Sequence, residues 1–301
     1  MNADATDSEK QSGSFDEPRG VVAVLGAGVI GSGVAQVFAQ YGYRVVVIDL
    51  QEEILEHCRK DLTKNLRFQG FFRKSGAEPP GKTLDRISFL TDYKALGAAS
   101  VVIENITEKW EAKRDLYNQI RDLYSQDALI GINTSAISIT RIAALTRNPS
   151  RAIGMHFMNP VPLTSAVELI RGFHTSSETV EEATRLMHVI GKQSVVVNDL
   201  PGFVSNRILM LTINEAIWVV HDQVAPAADV DLIFKLCFGH KMGPLETADL
   251  IGLDTILLSL DALYESYQDT KFRACPMLRI MVDAGLRGRK SGEGFYKYRA
   301  E

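Results

Sequence analysis

Two residues in this 301-residue chain have the types and spacing for proton chemistry. His156 stands in the apolar run GMHFMNPVP, and Glu168 follows in SAVELI. The residues before His156 have the pattern of a buried strand, Asn159-Pro160 calls for a turn, and SAVELI reads as a second short strand. A strand, a Pro-rich turn and a returning strand can set a carboxylate beside an imidazole. Such a carboxylate orients the ring and favours its protonated form, so the pair can exchange protons near neutral pH. A histidine satisfied at the edge of a core is the other reading that these two residues alone leave open.

The elements around them predict an α/β fold. VVAVL, RVVVI, SVVIE, ALIGI, RAIGM and SVVVN are short β-branched runs of buried-strand type. Helical stretches such as 109–124 and 178–190 lie between them. This alternation predicts a Rossmann-type, doubly wound parallel sheet covered by helices. After Asn198 the texture changes, and 203–222, 228–238, 253–267 and 276–284 read as helices with hardly a strand between them. We therefore expect a disordered tail over 1–18, a dinucleotide-binding domain over 19–200 and an all-helical domain over 201–301. Pro201-Gly202 marks the boundary.

The first strand runs into GAGVIG, which gives Gly26, Ala27, Gly28, Val29, Ile30 and Gly31 the G-x-G-x-x-G spacing, followed at once by a small-residue helix. Gly26 suits a tight turn, Gly28 a close approach of pyrophosphate to the backbone, and Gly31 close packing of helix on strand. The second strand ends at Asp49, where a carboxylate can hold the adenosine ribose diol and repel a 2′-phosphate. No arginine follows it in DLQEE, so NAD is expected over NADP. Asp49 can serve equally as a helix cap.

Composition narrows the class. The net charge of −4 and the lack of a basic patch exclude a nucleic-acid surface. Three scattered cysteines offer neither a disulfide framework nor a paired metal site, so no metal is expected. The first 18 residues have neither the apolar core of a signal peptide nor the face of a transit peptide, and no long apolar run suits a membrane span. A cytoplasmic protein is expected.

The segments VLGAGVIGSGVAQVFAQYGYRVVVID, NTSAISIT, GMHFMNPVPLTSAVELI, DLPGFVSNRIL and GLRGRKSGEGFYKY together resemble the L-3-hydroxyacyl-CoA dehydrogenases, over nearly the whole chain. That resemblance implies NAD-dependent, reversible oxidation of an L-3-hydroxyacyl thioester to the 3-oxoacyl thioester, and a homodimer formed through the helical domain. It gives His156 the role of catalytic base and Glu168 that of its partner. Ser135 would touch substrate and nicotinamide, and Asn206 would bind the substrate near its reacting centre. Glu104, Glu108, Lys113 and Lys290 match further cofactor positions. Without the family, Ser135 reads as turn chemistry, Asn206 as a polar residue early in a helix, and the four charges as exposed ones.

The match loosens on the helix after the second strand. Asn65 and Phe72 stand where the family places a serine and a lysine on CoA, while Lys60, Lys64, Arg67, Arg73 and Lys74 supply charge that suits an acidic acyl carrier protein. IENITEKW, with Asn105 and Thr107, is similar to the branch that acts on carrier-bound hydroxyacyl groups in polyketide extender-unit synthesis. Two further readings stay open: oxidation of a free hydroxy acid such as a sugar acid, and a non-catalytic NAD-binding protein.

Overall fold

The computed structural model describes residues 19–71 and 79–298. The expected tail and the positions Phe72, Arg73 and Lys74 lie outside the described residues. The chain forms two compact units. One takes in the chain through Asn133 together with Ile142–Val196, and the other comprises Thr134–Arg141 and the chain from Val197 onward.

The sheet has eight strands: β1 (Val21–Leu25), β2 (Arg44–Ile48), β3 (Ile87–Leu90), β4 (Val101–Glu104), β5 (Leu129–Ile132), β6 (Ala152–Phe157), β7 (Ala166–Arg171) and β8 (Gln193–Asn198). Their spatial order is β3-β2-β1-β4-β5-β6-β7-β8. Pairing is parallel from β3 through β6, and β7 returns antiparallel to β6, as the strand-turn-strand reading expects. The chain reverses its direction of spread at β1, which has β2 on one side and β4 on the other. That is the switch point where sheets of this type bind ligands beyond the strands' carboxyl ends.

The helices that follow the first strands are α1 (Val29–Gln40), α2 (Glu52–Phe71), α3 (Pro80–Leu84), α4 (Trp110–Ile120), α5 (Ile139–Ala143) and α6 (Ser177–Val189). Helix α1 buries every residue from Gly31 to Ala39. Its small side chains allow that, and Val34, Ala35 and Phe38 join Val22 and Val24 of β1 in one apolar core.

The second unit is helical: α7 (Ser205–His221), α8 (Ala227–Phe238), α9 (Pro244–Ile251), α10 (Leu253–Tyr267) and α11 (Pro276–Asp283). Met210, Ile213 and Ile217 of α7 pack with Leu245, Ile256, Leu260 and Leu278 in its core. Helix α7 begins two residues later than its apolar pattern suggests, because Gly202 and Phe203 both take positive φ (+78° and +50°), which breaks helical geometry. Two buried aspartates secure the rest. Asp231 accepts the backbone N–H groups of Leu245 and Glu246 at 2.8 and 2.9 Å, closing the start of α9. Asp249 accepts those of Phe295 and Tyr296 at 3.0 and 2.9 Å and the Tyr298 hydroxyl at 3.0 Å. Burial first, and then that carboxylate, pushes the Tyr298 phenol up to about 12.

Candidate active site

Register gathers the nucleotide residues at one end of the sheet. Leu25 is level with Ile48 on one side and Glu104 on the other, so the turn after β1, Asp49 after β2 and the end of β4 lie together. Gly26 has φ +90°, and a Cβ on it would stand 2.7 Å from the Asn105 carbonyl oxygen. A Cβ on Gly31 would fall 1.9 Å from the Gly26 oxygen, so helix and turn pack as closely as two backbones can. At Gly28 the same construction meets nothing within 4 Å. Gly28 is also the N-cap of α1 and brings no side-chain cap, which leaves the helix's first N–H groups and its positive dipole end for an anion. Ala27 is buried and Val29 is exposed; Ile30 packs against the core.

Asp49 is held on both oxygens. It accepts the Ala27 N–H at 3.0 Å and the Gln51 N–H at 3.2 Å, which leaves about half of a carboxylate's lone-pair positions for hydroxyl donors. Ala27, Gly28, Val29 and Ser32 line a cleft of about 560 Å³ whose far wall is α2, with Glu53, His57, Asp61 and Asn65. A bare helix end, an open glycine and a fixed carboxylate fit a dinucleotide.

Glu104 and Lys113 meet as an ion pair with both side chains fully buried. The ammonium donates to the two carboxylate oxygens at 2.7 and 2.8 Å and to the Asn133 carbonyl oxygen at 3.2 Å; the Ile106 N–H supplies another bond to Glu104 at 2.8 Å. Burial pushes the Glu104 carboxyl above its ordinary range, against the pull of Lys113. Glu108 is partly exposed, with its carboxylate 3.8 Å from the same ammonium. Lys290 belongs to the helical unit, where it pairs with Asp254 at 2.5 Å.

The β6–β7 hairpin brings His156 and Glu168 directly opposite each other. His156 Nδ1 lies 2.8 Å from a Glu168 carboxylate oxygen, and both residues are buried. An ionised carboxylate only accepts, so Nδ1 carries the proton and Nε2 is the basic atom of the neutral ring. Asn133, at the end of β5, accepts the backbone N–H of Phe157 at 3.2 Å and donates to the Asn105 side chain at 3.0 Å. Asn105 donates in turn to the Ile103 carbonyl oxygen at 3.1 Å. The ends of β4, β5 and β6 are thus knitted by side-chain amides.

In the helical unit, Asn206 stands in the first turn of α7 and donates to the Ser135 carbonyl oxygen at 3.3 Å. The loop carrying Ser135 is fastened by Asp199, which accepts from the Ser138 hydroxyl at 2.8 Å and from the N–H groups of Ile139 and Thr140 at 3.1 and 2.7 Å. Asn133 and Asp199 open two of the segments that carry the family resemblance, yet no role could be read for either, because their partners lie far along the chain and NDLP reads locally as a hinge.

A dinucleotide-type sheet with a buried imidazole–carboxylate pair at the end of its sixth strand defines a nicotinamide-dependent oxidoreductase. Comparisons with known proteins narrow that class. The NAD-binding domain of 3-hydroxyacyl-CoA dehydrogenase matches residues 21–200 and the C-terminal domain of the same enzyme matches 202–298. A probable 3-hydroxybutyryl-CoA dehydrogenase of Deinococcus radiodurans is 46% identical over 277 residues, covering 91% of this chain and 99% of that protein. Its counterpart in Bacillus subtilis is 43% identical, covering 92% and 96%. The crystal structure of (S)-3-hydroxybutyryl-CoA dehydrogenase from Ralstonia eutropha superposes with a TM-score of 0.88 at 39% identity, covering 93% of this chain and 99% of that one. The chain belongs to the 3-hydroxyacyl-CoA dehydrogenase family and is an NAD-dependent oxidoreductase.

Proposed function

We propose that the substrate is an L-3-hydroxyacyl-CoA ester and that His156 takes the hydroxyl proton at Nε2 during its oxidation. The 2.8 Å contact between His156 and Glu168 carries this reading, because it fixes the tautomer a base requires and compensates the imidazolium that forms. Bound NAD supplies the hydride acceptor. Glu168 orients the ring, Ser135 and Asn206 bind the substrate oxygens, and Glu104, Glu108, Lys113 and Lys290 serve the cofactor end. For Glu104 and Lys113, buried as they are, that service is to hold the strand ends.

CoA as carrier is supported by the names of the relatives and by a cleft of about 560 Å³ lined by Arg59, Lys60, Thr63, Lys64, Arg67 and Phe68 on α2, a setting for phosphate groups. The same charges suit an acidic carrier protein, the second reading. Leu232, Ile233 and Leu236 expose an apolar face on α8, and with the family resemblance they support a homodimer. None of the described helices is long and apolar enough to cross a membrane, and we place the enzyme in the cytoplasm.

The test is a kinetic panel of one acyl group as CoA ester, carrier-protein thioester and free acid. A CoA ester with the highest kcat/KM is expected, and a carrier-protein preference with strong salt dependence would replace CoA as the carrier. His156→Gln should lower kcat at least about a hundredfold with NADH affinity unchanged by fluorescence titration. Glu168→Gln should lose kcat more than it raises KM. Near-normal turnover in His156→Gln would overturn the mechanism.

A further inference from the structure

The turn joining β6 to β7, residues 158–165, decides which residue of one strand faces which residue of the other. A slip of one position would send either His156 or Glu168 to the opposite face of the sheet. The turn is held from within by Leu163 N–H and Thr164 N–H, which both donate to the Pro160 carbonyl oxygen at 3.0 and 3.1 Å. The Thr164 hydroxyl lies 3.2 and 3.3 Å from the carbonyl oxygens of Met158 and Val161.

It is also held from outside. Lys192, just before β8, is 6% exposed, unusual for a lysine. Its ammonium donates to the Val161 carbonyl oxygen at 2.5 Å and to that of Thr164. The next residue, Gln193, donates its N–H to the Ser165 carbonyl oxygen at 2.7 Å. On another side, Val161 presses on Gly33 of α1, where an added Cβ would come within 2.8 Å of the valine's own. Burying an ammonium is costly unless its donors find acceptors, and here two carbonyl oxygens of one turn take two of the three. The cost is repaid only if those carbonyls stay in place.

We infer that Lys192 is a positioning residue for the reaction: it clamps the 158–165 turn and so keeps His156 in register with Glu168. The inference rests on the reading of His156 as the base. Lys192 touches neither member of the pair, so its effect belongs to the orientation of the base during proton and hydride transfer. It does not belong to the affinity for NAD, which α1 and the end of β2 provide.

The experiment compares Lys192→Met, Lys192→Arg, Thr164→Val and His156→Gln in the full-length enzyme, each checked for melting temperature. Lys192→Met is expected to lose about tenfold or more in kcat, with substrate KM and NADH Kd within about twofold of the unaltered enzyme. The isotope effect on kcat should rise when the substrate's reacting carbon carries deuterium, because the transfer step becomes limiting. Lys192→Arg, which keeps donors for both carbonyls, should recover most of the rate. Thr164→Val loosens the same turn while leaving the Lys192 ammonium in place, and it should move kcat and the isotope effect in the same direction by less; it reads the clamp if Lys192→Met does not fold. A folded Lys192→Met with unchanged kcat overturns the inference, as does Thr164→Val with wild-type kcat and isotope effect if Lys192→Met is unfolded. A fully active His156→Gln removes the base and the clamp together, whereas an inactive His156→Gln beside a normal Lys192→Met removes the clamp alone.

Discussion

Asp49 serves local structure and, on the NAD-binding reading, ligand choice as well. It fastens the glycine turn through Ala27 and its own downstream bend through Gln51, so its replacement carries a stability cost of about 1 kcal/mol per lost bond. On the NAD-binding reading, a carboxylate here also repels a 2′-phosphate. Asp49→Ser combined with Leu50→Arg is therefore expected to lower kcat/KM for NAD and raise it for NADP, with the ratio shifting at least about tenfold. Specificity constants for both coenzymes check this, and an unaltered enzyme that already prefers NADP would refute the account. The glycines, Asp49 and the His156–Glu168 hairpin were legible because each is a local pattern: a spacing, a strand end, two strands across a turn. Lys192 was not, since GKQ after a helix looks like an ordinary solvated bend and its burial comes from carbonyls of a turn some 30 residues earlier.

Among the elements, β4 and α4 depend on the buried Glu104–Lys113 pair. Lys113→Met would leave a carboxylate buried without its cation, at a cost of about 3–5 kcal/mol. The first unit should unfold at lower urea, and Glu104→Gln added to Lys113→Met should regain part of the loss, since the uncompensated charge is gone. Equal midpoints for the unaltered and Lys113→Met proteins would show that the pair contributes nothing. The β-branched strands stood out in the sequence, but β3 did not. Its four residues, ISFL, lie at the sheet edge, with only Ile87 buried, so they lack the continuous apolar run of a central strand. Helix α9 was missed for another reason. Eight residues starting at a proline show too few turns for a periodic pattern, and what closes its first turn is Asp231, on a different helix. Lys113 belongs here too, because WEAKRD reads as an exposed first turn and nothing local marks one cation as buried.

For the molecule as a whole, the apolar face on α8 gives the assembly prediction. Leu236 is 75% exposed, with Leu232 and Ile233 beside it at 50% and 51%, an expense for a face left in water. Leu236→Glu is expected to shift the sedimentation profile from dimer to monomer. A protein still dimeric after substitution would place the contact elsewhere, and one already monomeric before it would refute the dimer. The overall class was legible from the change of texture near Asn198, where β-branched runs give way to helical spacing.

The loop of residues 134–141 is counted with the helical unit, bound there through Asp199 and Asn206, although the chain on both sides of it belongs to the sheet unit. For inheritance, this means that the order of the gene and the grouping of the parts disagree. A single recombination point anywhere within 142–196 would join the loop of one parent to the Asp199 and Asn206 of another. A single break point before residue 134, or break points on both sides of the loop together with one before Val197, transmits the serine with the residues that hold it. In inheritance, therefore, these eight residues belong with the helical unit that begins again at Val197.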